Sequence, residues 1–311
     1  MGEQQLPLSN DYKRQDQYIM KVLLVSHNVI STSTNMGKTL RAFFDNWAPD
    51  EIAQLYVHSE VPTDDTVCRN YYRITDMEVV KSVILPGKYG THFGPEDIER
   101  GRANPRTDTG LQGQIYQKSR SRTALVYTVR DLYWRMGHWY TKALRQWIRE
   151  FSPDVIFLAS GDYSFIYRVA SRIAEDFNLP MVAACFDDYY LHNRNEGSLL
   201  GRIRNKEYMN TVRKTMARTE SIITVSEPMI DEYTKLFGKP CRVLYTSCNA
   251  KQIDFAPDAD RIAYFGNLDF QRDKQLIDIG RALKQCTAQG KPAALDVYSA
   301  EKNPEILKNL N

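Results

Sequence analysis

The sequence has little that would mark a secreted, membrane-spanning or metal-built protein. Its 311 residues hold five cysteines, Cys68, Cys185, Cys241, Cys248 and Cys286, an odd number with no C-x-x-C pair. That argues against a disulfide or metal framework and fits a reducing compartment. His27, His92, His138 and His192 show no metal-ligand spacing and read as surface or loop residues, although His192 is close enough in sequence to Asp187 to line the same cleft. No apolar run approaches the roughly 20 residues that cross a bilayer. The N-terminus, MGEQQLPLSNDYKRQDQY, has no apolar signal core, and Leu6 stands where myristoylation requires Ser or Thr. Residues 1–19 read as a disordered extension, with Met20 as an older start, and the expected location is the cytoplasm. A net charge of +3 makes no case for nucleic acid. There are no internal repeats.

What is present is an alternation. A hydrophobic fraction of 42% with 25% charged residues is enough to build a core. Short apolar runs recur at 21–26, 52–58, 154–160, 181–186, 221–226 and 241–246, continuous rather than alternating. Such runs suit strands buried on both faces of a parallel sheet. Helical patterns lie between them. Phe165, Ile166, Val169, Ala170, Ile173 and Phe177 form one stripe over 162–177. In 226–237, Ser226 is placed to cap a helix with Glu227 and Pro228 in its first turn. The expected fold is a doubly wound α/β domain over 20–250.

Two stretches break the rhythm. Residues 86–122 are rich in glycine, proline and arginine without a clear period, and read as one long loop. Residues 123–151 read as one long helix crowded with Tyr133, Trp134, Trp139, Tyr140 and Trp147. Its aromatics suit a core. With Arg130, Arg135, Arg145 and Arg149 they also suit an anionic membrane surface, and both readings stand. A linker at 249–260 precedes RIAYFGNLDFQRDKQLIDIGRAL, a strand, a glycine turn and a helix. That pattern opens a second α/β domain over 258–311, and the 28 residues after Leu283 are too few to complete it.

Between the first strand and its helix lies HNVISTSTNMGKTL. Gly37-Lys38-Thr39 is similar to the end of a phosphate-binding G-x-x-x-x-G-K-[ST] loop, and MVAACFD at 181–187 could pass for its acid-ending partner strand. The first glycine is absent, because position 32 is threonine. A helix N-terminus with Lys38 attracts phosphate without that motif, and a plain turn with a solvated lysine is the third reading. Asp187 and Asp188 end a strand and admit two readings: acids that orient an acceptor hydroxyl or bind a metal, or, because adjacent side chains there point opposite ways, acids that do not share one ligand, with one simply capping a turn.

Taken in order, five motifs resemble the retaining GT-B glycosyltransferases of the family 4 group. They are Asn35-Met36-Gly37, PDVIFLASGDYSF, LPMVAACFDD, ITVSEPMIDEYTKLFG…VLYTSCN and IAYFGNLDFQRDKQL. The resemblance implies two Rossmann-like domains facing one cleft, the second incomplete here, and retaining transfer from a nucleotide-sugar to an acceptor hydroxyl. It implies a UDP- or GDP-linked donor, no cofactor and no metal, and a sugar or lipid-linked acceptor of the kind used in cell-surface polysaccharide or glycolipid synthesis. Peripheral contact with the inner face of a membrane would suit such an acceptor. By the same resemblance Gly37, Lys38, Gly266 and Arg272 contact the donor diphosphate, Asp187 is catalytic, and Asn35, Asp188 and His192 lie on the acceptor side. Phe186 stands where the family often has histidine, and Asn267 where it commonly has arginine. The other enzyme class left open is a P-loop-like phosphohydrolase or kinase resting on Lys38.

Overall fold

The structure, a computed structural model, describes residues 19–85, 87–103, 123–190, 198–246, 260–268, 271–299 and 308. The chain divides into two compact units, Met1–Cys248 and Asn249–Asn311.

The first unit is built on an eight-stranded sheet. In chain order its strands are β1 Val22–Ser26, β2 Ile52–Tyr56, β3 Asn70–Arg73, β4 Thr91–Phe93, β5 Val155–Ala159, β6 Met181–Cys185, β7 Ser221–Thr224 and β8 Cys241–Val243. Their spatial order is β4-β3-β2-β1-β5-β6-β7-β8. All neighbours pair in parallel except β3 with β4. Progression runs outward from β1 through β2, then restarts from β1 through β5, which creates a switch point between β1 and β5. Loops leaving those two strands diverge and open a crevice at the carboxyl edge of the sheet.

Helices cover both faces. They are α1 Asn35–Phe44, α2 Asp76–Ile84, α3 Pro95–Ala103, α4 Ala124–Met136, α5 Lys142–Phe151, α6 Ser164–Phe177, α7 Leu199–Met216 and α8 Pro228–Phe237. Strand alternation sorts the core. Leu23, Val25, Leu55, Ile156 and Leu158 pack with α2 and α4–α8, while Val22, Leu24, Ile52, Tyr56 and Phe157 pack with α1 and α3. Both faces are buried, so the strands read as continuous apolar runs.

The second unit, described by itself, is one strand–helix–strand crossover. β9 Arg261–Phe265 pairs in parallel with β10 Ala294–Tyr298, and α9 Arg272–Ala288 joins them.

Several expectations change. Residues 123–151 form two helices rather than one. Gly137 ends α4 by donating its N–H to the Tyr133 carbonyl at 2.8 Å, and a Cβ there would come within 2.5 Å of the Val79 side chain. Thr141 then caps α5, its hydroxyl accepting from the Leu144 N–H at 3.2 Å. The supposed loop 86–122 contains β4 and α3. Gly94 N–H bonds the Asp97 carboxylate at 3.0 Å, so Asp97 fixes the turn into Pro95. Ser226 does not cap α8 with its side chain. Glu227 holds the cap position in a helical conformation, Pro228 follows, and Ser226 contributes its carbonyl to Met229 N–H at 3.3 Å. The α6 stripe is as read, with Phe165, Ile166, Val169, Ala170 and Ile173 buried and Phe177 half-buried.

One buried ion pair ties α2 to α4. Arg130 is 5% exposed; its Nε donates to Asp76 Oδ1 at 3.1 Å, and its Nη2 lies 2.9 Å from Asp76 Oδ2. Trp134 Nε1 also donates to Asp76 at 2.8 Å. Removing one charge leaves the other buried and uncompensated. Asp76→Asn is expected to lower stability by about 3 kcal/mol in urea unfolding, and a loss under about 1 kcal/mol, the usual worth of an exposed pair, would contradict this role.

Candidate functional site

The carboxyl edge collects the loop after β1, the ends of β6 and β7, and the chain after β8. Its anchor is Gln54, on β2 and fully buried. Gln54 Nε2 donates to Ser26 Oγ at 2.7 Å and to the Asn28 carbonyl at 2.9 Å, while its Oε1 accepts from Ile30 N–H at 2.9 Å. A buried amide costs free energy unless it is fully bonded, and this one fixes the first half of the β1–α1 loop by being so. Ser31 Oγ then accepts from Ser33 N–H at 3.0 Å, which turns the chain toward α1.

α1 starts with Thr34 in extended conformation, with no side-chain cap and no acid in its first turn. The Thr34 hydroxyl is buried without a hydrogen-bond partner among the described residues. Uncapped N–H groups leave a partial positive charge there. Gly37 sits inside that first turn. A Cβ would lie 2.5 Å from Thr34 Oγ1, 2.6 Å from Ser31 Cβ and 2.8 Å from the Val29 carbonyl, so only glycine lets α1 seat against its own loop. Lys38 is exposed on the next position. Gly37-Lys38-Thr39 thus lies within the first turns of α1.

Beside α1 a cavity of 320 Å³ is lined by Met36, Thr39, Phe186, Asp187, Val225 and the 244–246 segment. Asp187 is exposed there, with its Oδ2 accepting from Tyr189 OH at 2.7 Å. Asp188 turns the other way, onto the Tyr233 hydroxyl at 3.0 Å. Burial pushes the Tyr233 hydroxyl up from its ordinary range, so it stays protonated and donates. The two acids therefore differ in surroundings as their alternation requires. Among the described residues no three His, Cys, Asp or Glu side chains gather in metal-holding geometry. Asn35 begins α1. His192 lies outside the described residues. In the second unit Gly266 follows β9, its N–H bonding the Tyr298 carbonyl at 3.1 Å, and the exposed Arg272 opens α9 with its guanidinium on the Asn267 side chain.

At the switch point the structure shows a group that spacing did not reveal. His27 lies in the loop after β1, as expected, but it is partly buried and packed. Its ring stacks on Tyr163 at 5.4 Å, and Arg130 donates to Nε2 at 2.9 Å. That leaves Nδ1 to carry the proton, facing Asn28 Oδ1 at 3.3 Å. Burial first, then the Arg130 charge and His58, hold the imidazole well below its usual range. Arg130 also lies 4.1 Å over the Tyr163 ring. Sequence position gave no hint, because the partners come from 103 and 136 residues away along the chain.

A doubly wound α/β protein with a crevice and an adjoining cavity at the carboxyl edge of its sheet is the class these features define. Residues 104–252 match the model of Glycosyltransferase Family 4. No curated protein matches the chain. Among solved structures it is similar to sucrose-phosphate synthase from Thermosynechococcus elongatus, at 12% identity and a TM-score of 0.49, covering 92% of this chain. The chain spans 63% of that synthase's length. It is also similar to a Glycyrrhiza uralensis protein complexed with glycyrrhetinic acid 3-O-monoglucuronide, at 11% identity and a TM-score of 0.36, covering 93% of this chain and 70% of that one.

Two outcomes follow from this geometry. Gln54→Leu leaves the Ile30 N–H buried without its partner, and should cost about 1–3 kcal/mol in chemical unfolding. Full stability in that variant would show that the loop is held by something else. His27 has a depressed folded-state value, so the unfolded chain binds its proton more readily. Its contribution is therefore complete above the unfolded value of about 6.5 and is lost as pH falls below it. Stability measured from pH 7.5 to 5.5 should decline less in His27→Gln than in the parent. Equal slopes would contradict the assignment.

Proposed function

We propose that this protein is a GT-B glycosyltransferase that moves a sugar from a nucleotide-sugar to an acceptor hydroxyl at the carboxyl edge of the first unit. The observation that carries the reading is the match of residues 104–252 to Glycosyltransferase Family 4. In the reaction the bond from the anomeric carbon to the diphosphate oxygen breaks, the acceptor oxygen makes the new bond, and the acceptor's hydroxyl proton passes to the departing diphosphate. The departing diphosphate takes up negative charge. The uncapped start of α1 and the Lys38 ammonium supply positive potential for it, already oriented before reaction. Within the second unit, Gly266 and Arg272 are the candidate diphosphate contacts, a guanidinium matching phosphate oxygens in a fork.

Asp187 is the acceptor-side group. Its carboxylate borders the cavity beside α1, with Tyr189 on one oxygen. It accepts a hydrogen bond from the acceptor hydroxyl and so aligns the attacking oxygen. Asp188 supports the strand end through Tyr233. The apolar walls given by Met36, Phe186, Val225 and Leu244 favour a sugar face or a lipid-linked acceptor over a fully charged one. The reading takes the donor as UDP- or GDP-linked, transfer as retaining and metal-independent, and the setting as the cytoplasmic side of a membrane, where surface polysaccharide or glycolipid precursors are built.

The test is transfer or donor hydrolysis with UDP- and GDP-sugars in the presence of EDTA. Asp187→Ala should lower the rate constant about 100-fold or more while donor affinity stays nearly unchanged. Arg272→Ala should weaken both donor binding and rate. Turnover confined to magnesium-ATP, and abolished by Lys38→Ala, would replace this reading with a P-loop-type phosphohydrolase.

A further inference from the structure

On the face of the sheet that carries α2 and α4–α8, three neighbouring helices leave their outer surfaces uncovered among the described residues. α4 packs against both α2 and α7. Their inner residues, Val79, Trp134 and Tyr208, belong to one core. Their outer residues include Leu125, Val129, Leu132 and Met136 along α4, flanked by Ile84 on α2 and Ile203 on α7, all exposed by 50–79%. The α4 spacing of four, three and four residues is one helical stripe, so the apolar surface is continuous rather than scattered.

Charge around the stripe has one sign. Lys81 on α2, and Arg202 and Lys206 on α7, are exposed within one helical turn of Ile84 and Ile203. The three helices contain four carboxylates, and each is engaged within the fold. Asp76 holds Arg130, and Glu78 caps α2 at Thr75 and accepts from Gly90 N–H. Asp131 pairs with Arg168, and Glu207 bridges Arg168 and Arg135. The tryptophans of this region face inward, Trp134 and Trp147 in the core and Trp139 half-buried against it. The expected aromatic membrane contact is therefore absent from Trp134 and Trp147, and an aliphatic one stands in its place.

We infer that this face of α2, α4 and α7 docks on the surface of an anionic lipid bilayer. Aliphatic side chains ringed by lysine and arginine, with the acids withdrawn, match an acyl boundary beneath negative headgroups. A second copy is a poorer occupant, because two-fold pairing would set the cationic rim against itself. A protein partner would more often meet exposed aromatic anchors, which this face lacks. The docking also points the site. Tyr127 on α4 bonds the Asp162 carboxylate, and Arg204 on α7 bonds the Asp162 carbonyl at 2.6 Å. Asp162 lies just past β5 at the switch point, so the stripe begins beside the carboxyl edge of the sheet.

Vesicle binding is read without any transfer assay, so this inference and the proposed activity fail separately. The full chain is sedimented with vesicles of phosphatidylcholine alone and of an equimolar mixture with phosphatidylglycerol, at low and high salt. Binding should require phosphatidylglycerol and weaken with salt. Val129→Glu with Leu132→Glu should reduce partitioning about tenfold or more, and Arg202→Glu with Lys206→Glu should do the same. Both pairs are on the surface, so thermal midpoints should stay near the parent's, and Leu132→Asn gives a milder check. No binding to either vesicle, or binding untouched by both pairs, overturns the inference. A dimer dissolved by Val129→Glu with Leu132→Glu, without vesicle binding, also overturns it and assigns the face to self-association.

Discussion

A single buried amide governs the working edge of this molecule. Gln54 reaches from β2 across to the end of β1 and satisfies Ser26, Asn28 and Ile30 at once. A parallel strand must hand its chain to a helix through a loop, and that loop carries backbone groups the sheet cannot bond. By bonding them from the neighbouring strand, Gln54 fixes where the loop turns. Gly37 then lets α1 lie close against it. The uncapped helix start, Lys38 and the cavity bordered by Asp187 take their positions from that geometry.

Arg130 does the equivalent work at the switch point. Its charge meets Asp76 from α2, its remaining donor meets His27 after β1, and its plane lies over Tyr163 ahead of α6. Cation, neutral imidazole and aromatic ring form one enclosed unit, in which the imidazole can stay uncharged because a guanidinium already occupies its lone pair. α4 is thereby held with its aromatic side inward. The same arrangement leaves Leu125, Val129, Leu132 and Met136 facing outward, so the outer surface of the first unit is a consequence of how its polar interior is satisfied.

The long parallel strands were legible because burial on both faces turns them into continuous apolar runs, as in VLLVS and VIFLA. β3 and β4 were not, since Asn70–Arg73 buries only its two central tyrosines and Thr91–Phe93 only its last residue. The break between α4 and α5 had visible signals in Gly137 and Thr141, but aromatic spacing masked them. α3 was hidden by its arginines, with Ile98 and Gly101 alone buried. The placement of Asp187, Gly37 and Lys38 near strand and helix ends was legible. Gln54 and His27 were not, because what matters about them is a partner on a distant segment. The tryptophans illustrate the same limit, since composition indicated their number and only packing their direction.

The account rests on the carboxyl edge of the first unit being where the nucleotide-sugar and its acceptor meet. Amide hydrogen exchange of the chain, with and without saturating UDP- and GDP-sugars in EDTA, tests this most directly. One of these donors should slow exchange at the start of α1, residues 35–38, and along 186–188 and 244–246. Unchanged exchange at all three segments with a donor shown to bind, or protection of residues 32–39 by magnesium-ATP alone, would contradict it.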